Sequence, residues 1–297
     1  MRKGQSSITA LAVAAARALS SSAKGALIDP NDAIARRLLP RPVAALIDVA
    51  SRPALARITP LAMRANFGLV DHVALRTAAI DRELAAAVDE GIDQIAIVGA
   101  GLDSRAHRLQ FLGGAAVYEL DHPASQAEKR ERAAGLPRVA RSLHYAELDL
   151  ERDRIADARA AAGFHRERPA CFVLEGLLMY LPRAVAERTV EEIGAAGAPG
   201  SLLLCTYLTP DLWWLRRARP FVDVVMRVVG EPLRTALDPE AMRALLDRAG
   251  FTLEDDTDTY EWAGQLAPDA GRSPLLAYER LARARKRCST ALPGPRR

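Results

Sequence analysis

The sequence predicts a doubly wound α/β domain built on a mostly parallel sheet of about seven strands. Short apolar runs, typical of strands buried on both faces, alternate with longer helical segments after residue 94. The first run, Ile95-Ala-Ile-Val98, breaks into the glycine turn Gly99-Ala100-Gly101. A helix start and a second apolar run ending in Asp121 follow the turn. A strand, a glycine turn, a helix and a strand with an acidic end are typical of a nucleotide-binding unit in such a sheet.

Residues 1–90 are predicted to form helices separated by turns, because prolines interrupt the apolar pattern and no strand pattern precedes Gln94. The N-terminus is similar to a short signal peptide, with Met1-Arg-Lys3 ahead of an apolar run. Arg17 interrupts that run early, so a helix is predicted instead.

The later elements follow from capping residues, prolines and apolar runs. Further helices are predicted at residues 123–134, 152–162, 182–197 and 238–249. Further strands are predicted at residues 115–121, 143–148, 170–174, 201–207, 251–259 and 275–281, the last two antiparallel. The core domain is therefore expected to span residues 91–281. The basic, proline-containing segment 282–297 is expected to be a flexible tail.

The glycine turn and the acidic end of the second strand predict a site for a ligand that contains a ribose. Gly99 and Gly101 remove the side chains that would keep a ligand from the backbone. About twenty residues later, Glu119 and Asp121 each offer a carboxylate for the ribose hydroxyls. Alternation along a strand sends both to the same side, so the pattern does not choose between them. The glycines would equally suit an ordinary tight strand-to-helix connection.

Three motifs resemble the leucine carboxyl methyltransferase-like family of S-adenosylmethionine-dependent O-methyltransferases. They are GAGLDSR at residues 99–105, ELDHP at 119–123 and EGLLMYLP at 175–182, in the family's order. The resemblance implies a class I methyltransferase fold, which is Rossmann-like, and S-adenosylmethionine as the cofactor. It also implies that residues 1–90 cover the cofactor and that an insertion around residues 208–237 covers the substrate.

The resemblance further assigns cofactor contacts to Arg76, Gly99, Ala100, Gly101, Glu119 or Asp121, Asp149, Leu150 and Glu175. Arg76 matches the arginine that pairs with the cofactor's carboxylate, a task suited to a planar guanidinium. Asp149 and Leu150 would meet the adenine, and Glu175 the methionine part. The family match favours Asp121 over Glu119 for the ribose. The alternatives are a surface role for Arg76, a helix cap for Asp149 and a simple turn for Glu175.

The predicted acceptor is a carboxylate on a small organic acid, which would make the product a methyl ester. A carboxylate is already ionised at neutral pH, so it needs alignment and not a general base. The five histidines fall in segments without a matching catalytic pattern, and the chain lacks the Asn/Asp-Pro-Pro-Tyr/Phe segment common in N-methyltransferases. Tyr180 and an arginine from the stretch 213–219 are the candidates for holding the acceptor.

Composition argues against several other classes. The net charge is only +4, and basic residues form no stripe with interleaved aromatics, so nucleic-acid binding is not expected. No run is long enough to span a bilayer. The three cysteines lack metal-ligand spacing, and two of them, Cys171 and Cys205, lie in apolar runs typical of buried thiols in a reducing compartment. A cytoplasmic protein without a metal is therefore expected. The remaining alternatives are an NAD(P)-dependent oxidoreductase, a methyltransferase acting on a hydroxyl or phenol, and a non-catalytic binding protein.

Overall fold

A computed structural model of the chain describes residues 7–22, 26–55, 68–210, 231–268 and 279–288. Its helices are α1 (Ile8–Ser22), α2 (Arg41–Ala50), α3 (Leu69–Asp89), α4 (Arg105–Arg108), α5 (Pro123–Ala133), α6 (Ile155–Ala161), α7 (Arg183–Ala196), α8 (Pro239–Arg248) and α9 (Thr259–Leu266). Its strands are β1 (Gln94–Val98), β2 (Ala116–Asp121), β3 (Ser142–Glu147), β4 (Cys171–Leu174), β5 (Leu202–Leu208), β6 (Phe251–Asp258) and β7 (Glu279–Lys286). Short 3₁₀ turns lie at Ala35–Leu38, Pro53–Leu55, Gln110–Gly114 and Leu178–Tyr180.

The strands form one sheet in the order β3-β2-β1-β4-β5-β7-β6. The first five run parallel, and β7 pairs antiparallel with both β5 and β6. Every residue of β1 is buried, because alternate side chains enter cores on the two faces of the sheet. The predicted doubly wound, mostly parallel sheet of seven strands is therefore confirmed.

The order of the strands decides where a ligand can bind. The chain leaves β1 to build β2 and β3 on one side, then returns to build β4 and β5 on the other. Between β1 and β4 the connections diverge and leave a crevice at the carboxyl ends of the strands. Gly99 lies at this point, directly after β1.

The predicted boundary of the N-terminal cover needs a correction. The helix α3 buries Leu75, Ile80 and Leu84 against the same core face as Ile95 and Ile97 of the sheet. It is therefore a layer of the core domain, although residues 1–90 were predicted to be cover alone. The sequence hides this because an alanine-rich helix has the same pattern in either place.

The C-terminal boundary also differs from the prediction. The last strand ends at Lys286 and not at residue 281, so the first five residues of the predicted tail belong to the sheet. Ala282 and Ala284 are buried, whereas Arg283 pairs with Glu83, Glu90 and Glu254. Small buried residues between arginines gave too weak an apolar signal to mark a strand.

The helix α9 was not predicted. It begins with a capping box. The Asp258 side chain accepts hydrogen bonds from the backbone N–H groups of Tyr260 and Glu261, and the Glu261 side chain accepts one from the Asp258 N–H. The strand predicted from the sequence runs to Thr259, whereas the observed strand ends at Asp258 and the helix begins at Thr259. Within the described ranges, each helix is too short or too polar to cross a membrane.

Candidate functional site

A cavity of about 580 Å³ opens at the carboxyl ends of the parallel strands. Its lining includes every predicted site residue except Glu119, namely Arg76, Gly99, Ala100, Gly101, Asp121, Asp149, Leu150, Glu175 and Tyr180. The five segments that carry these residues meet only through the sheet topology. The cavity has the size expected for a small-molecule site.

The glycine turn forms the floor of the cavity. Gly99 and Gly101 have φ values of 71° and 49°, which side chains disfavour. A Cβ on Gly99 would lie 2.7 Å from the Leu177 side chain, and one on Gly101 would lie 3.1 Å from Ala10 of α1. The glycines therefore serve the packing of neighbouring segments as well as leaving the backbone open to a ligand.

Asp121 is the last residue of β2 and faces the cavity. Its carboxylate accepts hydrogen bonds from the backbone N–H of Gly101 and from that of His122, the latter at 2.6 Å. Burial raises the pKa of Asp121, while these two donors oppose the shift. The glycine turn thus aims the carboxylate at the place where a ribose would lie.

Glu119 lies deeper in β2, opposite Ile97, the penultimate residue of β1, and does not line the cavity. It forms a buried ion pair with Lys129 of α5. Burial raises the pKa of Glu119 to about 7, against the opposing effect of Lys129. The position of Glu119 therefore does not support a contact with the ribose. The two carboxylates lie on the same side of β2, and they differ only in how far along the strand they lie.

Asp149 and Leu150 follow β3 and line the cavity beside β2. The Asp149 side chain accepts the backbone N–H of Glu151 at 3.0 Å. It therefore shapes the local turn and also lines the cavity. The alternative that Asp149 caps the following helix is wrong, because α6 begins at Ile155 with Arg154 at its N-cap.

Arg76 of α3 reaches the cavity from the opposite side. Its Nε donates to Glu175 at 2.9 Å, and its Nη1 donates to Glu279 at 2.9 Å. Burial disfavours the charge of Arg76, but Glu279 and Glu175 outweigh that effect and raise its pKa. Among the described residues no hydrogen bond is formed by Nη2, which leaves that group for a ligand carboxylate.

Glu175 is held by a second arginine. Arg105 lies 2.8 Å from Glu175 and also binds Asp81 and Asp103. Burial alone would raise the pKa of Glu175, but Arg105 and Arg76 hold it below its usual range. Glu175 therefore stays ionised, so it is more than a turn residue.

Two contributors to the cavity were missed or left aside at the sequence level. Arg17 of α1 is buried, donates to the Leu102 carbonyl at 2.6 Å and pairs with Asp32. Glu231 accepts the N–H groups of Ile8 and Thr9 at 3.0 and 3.2 Å, which fixes the start of α1 over the cavity. An arginine within an apolar, alanine-rich run is a sequence feature that could have indicated Arg17. No local pattern marks the second, because its partners lie more than 200 residues away.

Tyr180 stands at the same end of the cavity as Glu231. Burial raises the pKa of Tyr180 to about 12, and the nearby Arg76 and Thr9 side chains oppose this shift. It therefore remains a neutral donor at physiological pH. The other predicted acceptor contacts, the arginines of residues 213–219, lie outside the described residues.

Of the five histidines, His122 alone lines the cavity. Its Nδ1 accepts the N–H of Ala124 at 3.2 Å and caps α5. In the neutral ring the remaining nitrogen then carries the proton, so this imidazole has no free acceptor. Among the described residues, the cavity has no histidine that could act as a general base.

The family model of the leucine carboxyl methyltransferases matches residues 10–194, more than half of the chain. The chain belongs to this family. Membership confirms the resemblance of the three motifs and with it S-adenosylmethionine as the family's cofactor.

Relatives in this leucine carboxyl methyltransferase family come from mycobacteria. A Mycobacterium bovis protein named as a candidate S-adenosyl-L-methionine-dependent methyltransferase is 38% identical over 198 residues, covering 65% of this chain and 62% of its own length. A Mycobacteroides abscessus protein of the same name is 40% identical over 205 residues, covering 66% and 64% respectively. The chain thus matches somewhat less than two thirds of the length of these relatives.

Solved structures support the fold. A DUF574 family protein from Streptomyces avermitilis superposes with a TM-score of 0.60 at 18% identity, covering 78% of this chain and 90% of its own. A candidate methyltransferase from Thermobifida fusca gives 0.56 at 20% identity, covering 90% and 96%. At such identities the likeness concerns the fold alone.

Proposed function

We propose that this protein is an S-adenosylmethionine-dependent O-methyltransferase that forms the methyl ester of a carboxylate on a small organic acid. The observation that carries the proposal is the single cavity lined by nine of the ten predicted positions.

The order of the strands supports a specific placement of the cofactor. Asp149 and Leu150, which follow β3, would hold the adenine, and Asp121 at the end of β2 would hold the ribose. The glycine turn would lie against the part of the cofactor that follows the ribose. The amino-acid part would then lie beside Arg76 and Glu175, where one arginine nitrogen is available for a carboxylate. S-adenosylmethionine would supply a methyl group on a positively charged sulfur at this end.

The protein groups near that end favour an acceptor that is already ionised. Glu175 is held by two arginines, Glu231 by the start of α1, and His122 has no free acceptor nitrogen. Tyr180 is a neutral donor and can hold one oxygen of an acceptor carboxylate. Such an acceptor needs to be oriented and shielded from water. Ala10 and Val13 of α1 line the cavity and would exclude water from it.

Two buried thiols, Cys171 in β4 and Cys205 in β5, accord with a reducing compartment such as the cytoplasm. Burial raises the pKa of Cys171 to about 12, so it stays a neutral thiol.

Binding and product chemistry test the proposal separately. Calorimetric titration should show binding of S-adenosylhomocysteine and no binding of NAD. Turnover of radiolabelled S-adenosylmethionine with a panel of organic acids should give a product that releases methanol in mild alkali. A product whose label survives alkali would refute the ester, and binding of NAD alone would refute the methyltransferase.

A further inference from the structure

The buried pair between Glu119 and Lys129 has no part in the cavity lining, yet it lies directly beneath the proposed ribose site. Their side chains are 0% and 1% exposed, respectively. Burying such a pair does not by itself add stability, because desolvation of both charges offsets their attraction and apolar pairs often replace them without loss. Its place beside Asp121 therefore calls for another explanation.

The helix α5 is attached to β2 at three points. At its start, the His122 N–H donates to Asp121 at 2.6 Å. Two helical turns later, Lys129 meets Glu119, and between them Gln126 donates to the Glu119 carbonyl at 2.7 Å. The ribose carboxylate and the ion pair thus share one rigid frame.

The charge of Lys129 acts on two carboxylates of β2, Glu119 and Asp121. Glu119 and Asp121 lie two residues apart on the same side of β2, about 7 Å along the strand. The charge of Lys129 already acts on Asp121. The other nearby carboxylate, Asp103, is held by Arg105. If Glu119 lost its charge, the flexible lysine stem would allow the ammonium to turn to Asp121.

We propose that Glu119 is a positioning residue that holds Lys129 away from Asp121 and so leaves Asp121 free to accept the ribose hydroxyls. An ammonium bound to Asp121 would occupy the oxygens that the hydroxyls need. The inference rests on the proposed function, since it assumes that the ligand carries a ribose.

The test is a double-mutant cycle on S-adenosylhomocysteine affinity, measured by calorimetry at pH 8, above the pKa of about 7 of Glu119, so that this residue is mostly ionised in the wild type. Glu119→Gln should weaken binding about tenfold, as for the loss of a hydrogen bond to a charged group. Lys129→Met should stay within about threefold of wild type, because the pKa of Glu119 is already about 7 and its carboxyl can take up a proton. The double variant Glu119→Gln/Lys129→Met should recover to within about threefold of wild type.

The recovery excludes a direct contact of Glu119 with the ligand, which would not be rescued. A merely structural role would lower stability together with affinity, because Glu119→Gln leaves Lys129 buried without its partner. Urea unfolding of the ligand-free variants therefore accompanies the titrations, and a loss of affinity that only follows a loss of stability overturns the inference. A double variant as weak as Glu119→Gln alone overturns the inference. If Glu119→Gln does not fold, Glu119→Asp gives the same comparison, since its shorter side chain draws the carboxylate away from Lys129. Wild-type protein that fails to bind S-adenosylhomocysteine overturns the proposed function as well. Wild-type binding without rescue overturns the positioning role alone.

Discussion

Asp121 shows how one residue acquires its role from its neighbours. Its carboxylate is aimed by the N–H groups of Gly101 and His122 and lines the cavity at the end of β2. A carboxylate accepts at both oxygens, whereas an amide accepts at only one. The residue is therefore expected to recognise the part of the ligand that contains the ribose and nothing beyond it.

Replacing Asp121 with Asn should weaken S-adenosylhomocysteine and 5′-methylthioadenosine equally, because both contain the ribose. The expected loss is roughly tenfold to a hundredfold. Calorimetric titration of both ligands provides the measurement. Asp255→Asn, on β6 and outside the cavity lining, is the matched control. A loss confined to S-adenosylhomocysteine would place Asp121 at the amino-acid end instead.

Arg76 has a structural role that the sequence did not indicate. It is the partner of two carboxylates, the buried Glu279 and the partly exposed Glu175. Arg76→Ala should therefore lower the free energy of unfolding by about 1–3 kcal/mol even without ligand, because each carboxylate loses one partner while Glu175 keeps Arg105 and Glu279 keeps His72. Urea unfolding of the ligand-free protein measures this. A variant as stable as wild type would show that the carboxylates find other partners.

The role of Arg76 in ligand recognition needs a variant that keeps the charge. Arg76→Lys retains a cation for Glu175 and Glu279 but loses the planar fork. S-adenosylhomocysteine should bind more weakly to it, while 5′-methylthioadenosine, which lacks the amino-acid part, should bind as it does to wild type. Equal losses for the two ligands would remove Arg76 from the carboxylate site.

The packing of whole elements depends on contacts that no local pattern announces. Gly194 of α7 packs against Ala249, the residue that follows α8. A Cβ on Gly194 would lie 2.0 Å from the Ala249 carbonyl oxygen, a backbone atom that cannot turn aside. The glycine is therefore required for the spacing of the two helices.

Gly194→Ala should destabilise the protein by about 1–3 kcal/mol through overpacking. The matched control is Gly264→Ala in α9, where the added methyl would meet nothing within 4 Å. That change should stabilise by about 0.5–1 kcal/mol, because alanine is the better helix former. Thermal unfolding of both variants gives the comparison. Similar shifts in the same direction would contradict the contact between α7 and α8.

The molecule as a whole gathers ionised carboxylates in its interior, and this determines its response to acid. Burial alone would raise the pKa of Glu279, but Arg76 and His72 lower it to about 2. The pKa of Glu175 and that of Asp103 are also held below their usual range, against the effect of burial. These groups are fully ionised in the folded protein at pH values where the unfolded chain begins to bind protons.

Stability from these carboxylates should therefore be complete above about pH 4.5 and be lost as the pH falls towards 2. Glu119 acts in the opposite direction, since its raised pKa favours the folded state below about pH 7. Urea midpoints measured at pH 7, 5, 4 and 3 should fall steeply at the acid end. Glu279→Gln should flatten that decline, whereas Glu167→Gln, at a fully solvated site, should not. A wild-type midpoint independent of pH below 4.5 would contradict the prediction.

The sequence by itself determined the sheet, the cavity floor and the family. Strands buried on both faces have continuous apolar runs, so the sequence alone predicts them. The glycine turn and the three motifs are local patterns, so they too are recognised without coordinates. Elements with mixed composition were misjudged: β7 was shortened because its arginines resemble a tail, and α3 was assigned to the cover.

Only the tertiary structure placed Asp121 in the cavity lining and Glu119 outside it, and revealed Glu279 and Glu231 as partners of Arg76 and of the start of α1. Glu119 and Asp121 share one side of one strand, so the distinction lies in depth, which depends on where β1 ends beside β2. Glu279 lies 203 residues from Arg76, and Glu231 lies 223 residues from Ile8. Ion pairs and hydrogen bonds across such separations depend on the packing of the whole chain, and no local pattern encodes them.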